Sequence, residues 1–290
     1  MTTATVLTQG LYFGEGPRWH EGRLWYSDFY AHAVMSVGSD GEQRIELKLD
    51  DQPSGLGWLP DGRLLVVSMA QMKLLRQDPD GLTVHADLSE LSAHLCNDMV
   101  VDAQGRAWVG NFGFDLDAMI DEVGVEAMLG SHPSTNLVRV DIDGSVHLAS
   151  PDMHFPNGSV VTPNGKTLIV AETLSMCLTA FDIAADGSLS NRRVWAQLEL
   201  IAPDGICLDA QGNIWVANAL APQCALIAPG GEILHSVITS QFCYACMLGG
   251  DDGRTLHMVT AQSSHKSEAS ASQTGKIEIV RVEVAGAGCP

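Results

Sequence analysis

The chain is poor in basic residues, in aromatics and in long apolar runs. It carries 16 Lys and Arg against 35 Asp and Glu, a formal net charge of −19. Such a surface repels phosphate backbones and anionic lipid headgroups, so neither nucleic acid nor membrane is expected as a partner. No stretch approaches the roughly 20 apolar residues of a membrane helix. Met1 to Gly10 lacks the basic region and apolar run of a secretory signal. There is no G-x-S-x-G elbow, so serine-hydrolase chemistry is unsupported, and no P-loop or dinucleotide fingerprint. The seven cysteines (Cys96, Cys177, Cys207, Cys224, Cys243, Cys246 and Cys289) are odd in number and scattered. Only Cys243 and Cys246 form a C-x-x-C, with no second pair at zinc-finger spacing. They read as small apolar fillers of a reduced, cytoplasmic protein.

What the chain does have is repetition. It holds 29 glycines and 12 prolines in 290 residues, a composition of many tight turns. One pattern, a turn on glycine followed by a β-rich run, occurs six times: HEGRLWYSD, PDGRLLVVS, AQGRAWVGN, PNGKTLIVA, AQGNIWVAN and DDGRTLHMV. The turn glycines are Gly22, Gly62, Gly105, Gly165, Gly212 and Gly253, at steps of 40, 43, 60, 47 and 41 residues. A period near forty is that of a four-stranded propeller blade. Alternating runs such as RLWYSD and LVRVD are strand-like, and the D-G and N-G turns suit hairpins. The expected fold is all-β: a six-bladed β-propeller of four-stranded blades, spanning residues 1–290 as one domain. The opening TTATVL is expected to supply the outer strand that closes the ring with the last blade. A parallel β-helix also repeats, but with shorter turns. The 60-residue step marks an insertion in the third blade, about residues 112–136, with a short helix expected around Leu116 to Met128. A loop of that length is either a lid or inert surface.

In a propeller the innermost strands surround the axis, so residues at the same end of each converge on the channel mouth. Counting eight back from the turn glycine gives Ser54, Asn97, Asn157, Asp204 and Ala245, and seven back in the first blade gives Glu15. Asn, Asp and Gly are also common turn formers, so each alone reads as turn chemistry before it reads as a ligand. Glu15, Asn97, Asn157 and Asp204 together bring four side-chain oxygens to one place. Two carboxylates in a narrow channel repel unless a cation or a shared proton sits between them. Carboxylate and amide oxygens favour one hard divalent cation, Ca²⁺ first, at the mouth of the central channel. So sparse a protein shell leaves positions open for water and substrate.

The runs GEGPRW, CNDMVVDAQGRAWVGN, FPNGSVVTPNGKTLIVAET and APDGICLDAQGNIWVAN resemble the gluconolactonase, senescence-marker-protein and luciferin-regenerating-enzyme superfamily over nearly the whole chain. The resemblance implies Glu15, Asn157 and Asp204 as metal ligands, with Asp204 also the general base and Asn97 near the metal or on substrate. It implies a metal-dependent lactonase and a site that also accepts Zn²⁺, Mg²⁺ or Mn²⁺. Sugar-lactone members carry Arg two residues before the Asn matched here by Asn97. This chain has Leu95 there, followed by Cys96, so a more apolar lactone or ester is expected, with Leu95, Cys96, Asn97 and Tyr244 binding it.

Tyr12, Phe13, Phe112, Phe114, Phe155 and Tyr244 lie near mouth loops as candidate apolar walls or as ordinary packing. Asp98 either completes a turn or takes part directly. His94, His132 and His154 are loop histidines that could shuttle protons. Trp25, Trp108 and Trp215 are expected in the core, and Glu172 and Asn218 are expected to satisfy backbone groups at strand ends. Two other functions stay open: a phosphotriesterase-like hydrolase on the same metal site, and a non-enzymatic metal-binding or interaction propeller.

Overall fold

The turn glycines dictate the first level of structure. All six take positive φ, from +68° at Gly165 to +86° at Gly62, a backbone region that side-chain-bearing residues rarely enter. Each therefore closes a tight hairpin between the first and second strands of a blade. In this computed structural model, which describes residues 2–288, six such hairpins extend into six antiparallel sheets.

The chain forms a six-bladed β-propeller. Each blade runs outward from its innermost strand: Gly14–His20, Pro53–Trp58, Cys96–Val101, Pro156–Val161, Pro203–Leu208 and Phe242–Gly249. In blade six the outer strand is Thr5–Leu11, paired antiparallel with Gly275–Arg281, so the N-terminal segment closes the ring as the sequence predicts. The sequence does not announce a further detail. Thr2–Thr3 pairs in parallel with Ile233–Ile238 and adds a short fifth strand to blade five.

The ring is held by apolar seams between adjacent blades. Leu56, Leu64 and Val66 of blade two meet Val34 and Leu49 of blade one. Trp108, Val100 and Leu137 of blade three meet Leu168, Val170 and Phe181 of blade four. Trp108 and Trp215 are buried core residues as expected, whereas Trp25 is only half-buried, set edge-on to Trp58 at the seam between blades one and two. The six described cysteines are free and buried, four of them among the residues joining blades five, six and one; Cys289 lies outside the described residues.

Glycine also sets how closely the inner strands approach. A Cβ on Gly158 would stand 2.6 Å from the Ile206 nitrogen, and one on Gly205 would stand 2.7 Å from the Ala245 Cα. These glycines directly follow Asn157 and Asp204, so the residues that precede them are drawn toward the axis by the same close contact.

The 112–136 region lies between the second and third strands of blade three. It forms two helices rather than one, α1 (Leu116–Val123) and α2 (Val125–Gly130), divided at Gly124 with φ +81°. The Asp115 side chain caps α1 by accepting from the Ala118 amide at 3.0 Å. A third helix, α3 (Lys266–Ala269), sits in the loop following the second strand of blade six. Among the described residues no helix is long and apolar enough to cross a membrane.

Candidate functional site

Every innermost strand loses register with its neighbour at its N-terminal end. The ladder shifts between Glu15 and Arg18, Pro53 and Leu56, Cys96 and Met99, Pro156 and Ser159, Pro203 and Ile206, and Cys243 and Ala245. Such bulges re-aim side chains that regular alternation would send into the seams. Asn97, Asn157, Asp204 and Tyr244 lie inside these shifts, Glu15 is still paired with Ser27 at the edge of one, and all five line one cavity of about 830 Å³.

The strand ends opposite fix the loops that carry these residues. Asp28 accepts from the Tyr12 and Phe13 amides at 3.0 and 3.2 Å, ahead of Glu15. Glu172 accepts from the His154 amide at 2.8 Å, ahead of Asn157. Asn218 accepts from the Ala202 amide at 3.3 Å, ahead of Asp204. Glu172 and Asn218 thus satisfy backbone groups, as their strand-end positions suggest.

The cavity floor is electrostatically tense. Burial pushes the Glu15 carboxyl well above the usual carboxylate range, and the charges of Asp204 and Asp98 push it further. Burial does the same to Asp204, with Asp98 adding to the rise and a hydrogen bond from Asn157 opposing it. A divalent cation would reverse both shifts by favouring the ionised forms. The donor chemistry fits such an ion. Asn157 donates Nδ2 to Thr173 Oγ1 at 3.2 Å, and Thr173 Oγ1 donates to the Pro203 carbonyl at 2.8 Å. That chain leaves Asn157 Oδ1 buried with no partner, an orphan acceptor costly to keep unless something fills it. Asn97 Oδ1 is already in contact with Ser54 Oγ at 3.4 Å. Among the described residues no three His, Cys, Asp or Glu side chains gather as a metal cluster, so a cation here relies on two carboxylates completed by amide oxygen.

The walls are apolar. Phe13, Phe112, Phe155 and Tyr244 line the cavity, as does Leu95, whereas Tyr12 and Phe114 do not. Phe155 holds φ +58°, a strained conformation for an aromatic residue. Phe29, Tyr30 and Met69 complete the wall on the side of blades one and two. Their positions just after second strands gave no motif to find them by. His94 lines the cavity with Nδ1 buried and unpartnered. His132 and His154 do not line it. They bond to each other at 3.0 Å, and His132 also contacts the Met128 carbonyl at 3.1 Å.

Cys96 departs from the expected set. It is fully buried, its thiol faces Ser92 Oγ at 3.4 Å, and it packs in the seam between blades two and three rather than on the cavity. Cys96 still pairs with Asn111, whereas Asn97 lies inside the register shift that follows.

Two helical insertions roof the mouth. Leu116, Ile120 and Met128 from blade three line the cavity together with Ser264, His265 and Lys266 from blade six. Asp117 Oδ2 accepts from the Lys266 amide at 2.9 Å, and Asp121 Oδ1 lies 3.4 Å from His265 Nε2. The blade-six insertion was not anticipated. Spacing between turn glycines measures only what lies between two of them, and this segment follows the last.

A propeller whose bulged inner strands converge on an oxygen-rich, roofed cavity is the class of protein that fold and site define. The family model described as "SMP-30/Gluconolactonase/LRE-like region" matches residues 13–262, and the chain belongs to this family. It is 26% identical over 267 residues to regucalcin of Danio rerio, covering 90% of this chain and 86% of that protein. It is 23% identical over 305 residues to the 6-deoxy-6-sulfogluconolactonase of Pseudomonas putida, covering 100% and 98%. Among solved structures it shares its fold with a calcium-binding protein, regucalcin, from Agrobacterium tumefaciens, at TM-score 0.79 and 21% identity over 98% of this chain and 95% of that one. A gluconolactonase from Xanthomonas campestris shares it at TM-score 0.72 and 21% identity, over 97% and 88%.

Proposed function

We propose that the chain is a metal-dependent lactonase that opens a small, rather apolar lactone to its hydroxy acid. The observation that carries this reading is the buried, unpartnered Asn157 Oδ1 in the cavity that Glu15 and Asp204 share. Glu15, Asn157 and Asp204 would hold one divalent cation, Ca²⁺ first by donor type, with Zn²⁺, Mg²⁺ or Mn²⁺ as substitutes. When bound, the ion supplies Lewis-acid stabilisation of the charge that develops on the lactone carbonyl oxygen.

The chain's own groups do the rest. The Asp204 carboxylate accepts a proton from the attacking water as the new C–O bond forms. It returns that proton to the ring oxygen as the ester C–O bond breaks, so the product is a hydroxy acid and Asp204 is regenerated. Asn97 donates its amide toward the substrate while its Oδ1 is steadied by Ser54. Leu95 offers no donor for sugar hydroxyls, and with Phe13, Phe112, Phe155 and Tyr244 it favours an apolar body beside the reacting carbonyl. The buried free thiols are in keeping with a reducing, cytoplasmic location.

Acid release in weak buffer tests this with a panel of alkyl, aryl-fused and sugar lactones and one organophosphate triester, before and after chelation. We expect turnover of the apolar lactones that chelation abolishes and added Ca²⁺ restores. Turnover of the phosphotriester alone, or none with any divalent ion, overturns the assignment.

A further inference from the structure

One buried ion pair beneath the cavity is unused by the chemistry above. Arg18 leaves the innermost strand of blade one and reaches Asp98 of blade three, passing the intervening blade two. Its Nη2 donates to Asp98 Oδ1 at 3.1 Å and to the Met99 carbonyl, and its Nη1 donates to the Pro17 carbonyl at 2.8 Å. Both side chains are about 95% buried, at 4% and 5% exposure. Blade two has glycine at that level and so lies close against blade three: a Cβ on Gly55 would stand 2.4 Å from the Met99 nitrogen. Asp98 Oδ1 also accepts from the Met99 amide at 2.8 Å, so that oxygen is committed downward. Asp98 does not line the cavity, yet its charge acts on both Glu15 and Asp204. A buried guanidinium with an unpartnered Nε is expensive to maintain, and a channel plug could be built from apolar side chains at lower cost.

Building on the metal-site reading above, we propose that Arg18 is a positioning residue that sets the charge of the cation site. By pairing with Asp98 it holds a third carboxylate below the cavity and leaves a net charge of about −2 on the donor cluster, matched to a divalent ion. Without Arg18 the cluster carries a third negative charge and binds a divalent ion more tightly than turnover needs. Without Asp98 the guanidinium is left unbalanced and repels the ion.

Titration calorimetry with CaCl₂ on the full chain tests this with wild type, Arg18→Met, Asp98→Asn and the double variant, each checked for native circular dichroism. We expect Arg18→Met to tighten Ca²⁺ binding about tenfold, Asp98→Asn to weaken it about tenfold, and the double variant to return within about twofold of wild type. A merely structural pair would lower stability in every variant without moving affinity in opposite directions. Wild type that binds Ca²⁺ while the single variants stay within twofold, or move the same way, overturns the proposal and leaves the metal site standing. Wild type that binds no divalent ion overturns both.

Discussion

Asn157 and Thr173 share a hydrogen bond of 3.2 Å that decides which way the Asn157 amide faces. Thr173 can accept it because its own proton is committed to the Pro203 carbonyl, on the strand that carries Asp204. Two candidate ligands from different blades are thus oriented through one hydroxyl. Thr173→Val keeps the shape and removes both bonds. We expect it to cost roughly 1–2 kcal/mol of stability and about tenfold in Ca²⁺ affinity, with Thr173→Ser close to wild type on both. Denaturant titration and calorimetry check the two numbers separately. Unchanged affinity in Thr173→Val would show that the amide needs no such guide.

Glu15→Gln removes a buried carboxyl that burial and neighbouring charge already hold against ionisation. Without added metal the variant should melt at or above the wild-type temperature, since it replaces a carboxyl whose ionisation the site opposes with a neutral amide. Wild type should gain stability with Ca²⁺, about 2.7 kcal/mol at a hundredfold excess over Kd, and the variant should gain almost none. Asp204→Asn should lose at least about 10³-fold in lactone turnover with the fold intact. Thermal melts with and without Ca²⁺, paired with acid-release assays, decide both. Substantial turnover in metal-loaded Asp204→Asn would remove Asp204 from the proton-transfer role.

The inner-strand residues were legible because a propeller repeats its geometry. Eight residues back from five turn glycines, and seven back from the first, mark equivalent places, and five of the residues so found or adjacent to them (Glu15, Asn97, Asn157, Asp204 and Tyr244) line one cavity. What spacing does not carry is local register. Cys96 sits one residue before a bulge and turns into a seam, while Asn97 inside it turns to the cavity. Nor does spacing reveal partners from distant blades, which is why Arg18 passed as part of a strand motif. The break at Gly124 shows a further limit: an apolar pattern continuous from Leu116 to Met128 hides a glycine whose φ ends the helix.

Leu95→Arg tests specificity. The position lines the cavity and is partly exposed to it, so an introduced guanidinium has room to reach a bound lactone. We expect the ratio of kcat/KM for a polyhydroxylated sugar lactone over an alkyl lactone to rise at least about tenfold, or about 1.4 kcal/mol. The gain should come from both directions, since a buried donor facing an alkyl chain goes unpaired. A ratio unchanged within twofold would show that Leu95 does not set the preference.

His257 gives a stability signature in acid. It is buried against Trp19 with ring centroids 5.4 Å apart and contacts the Met247 carbonyl through Nδ1 at 3.3 Å. Burial lowers its pKa from 6.5 to about 4, with the Met247 carbonyl opposing part of the shift. The unfolded chain therefore takes up a proton near pH 6.5 that the folded chain refuses until about pH 4. Stability is intact above pH 6.5 and falls as the pH drops through that window. Between pH 7.5 and 5.0 this amounts to about 2 kcal/mol. Urea unfolding at both pH values should show His257→Gln losing about 2 kcal/mol less than wild type. Equal losses would mean that His257 is already charged in the folded state.

The pairing of Thr5–Leu11 with Gly275–Arg281 joins segments far apart in the sequence. During translation Thr5–Leu11 must wait for this partner until Gly275–Arg281 has emerged. Final circularisation is therefore a late, long-range event, slow in the manner of contacts distant in sequence. Until it happens blade six offers an open strand edge to other molecules, the hazard that the finished ring removes.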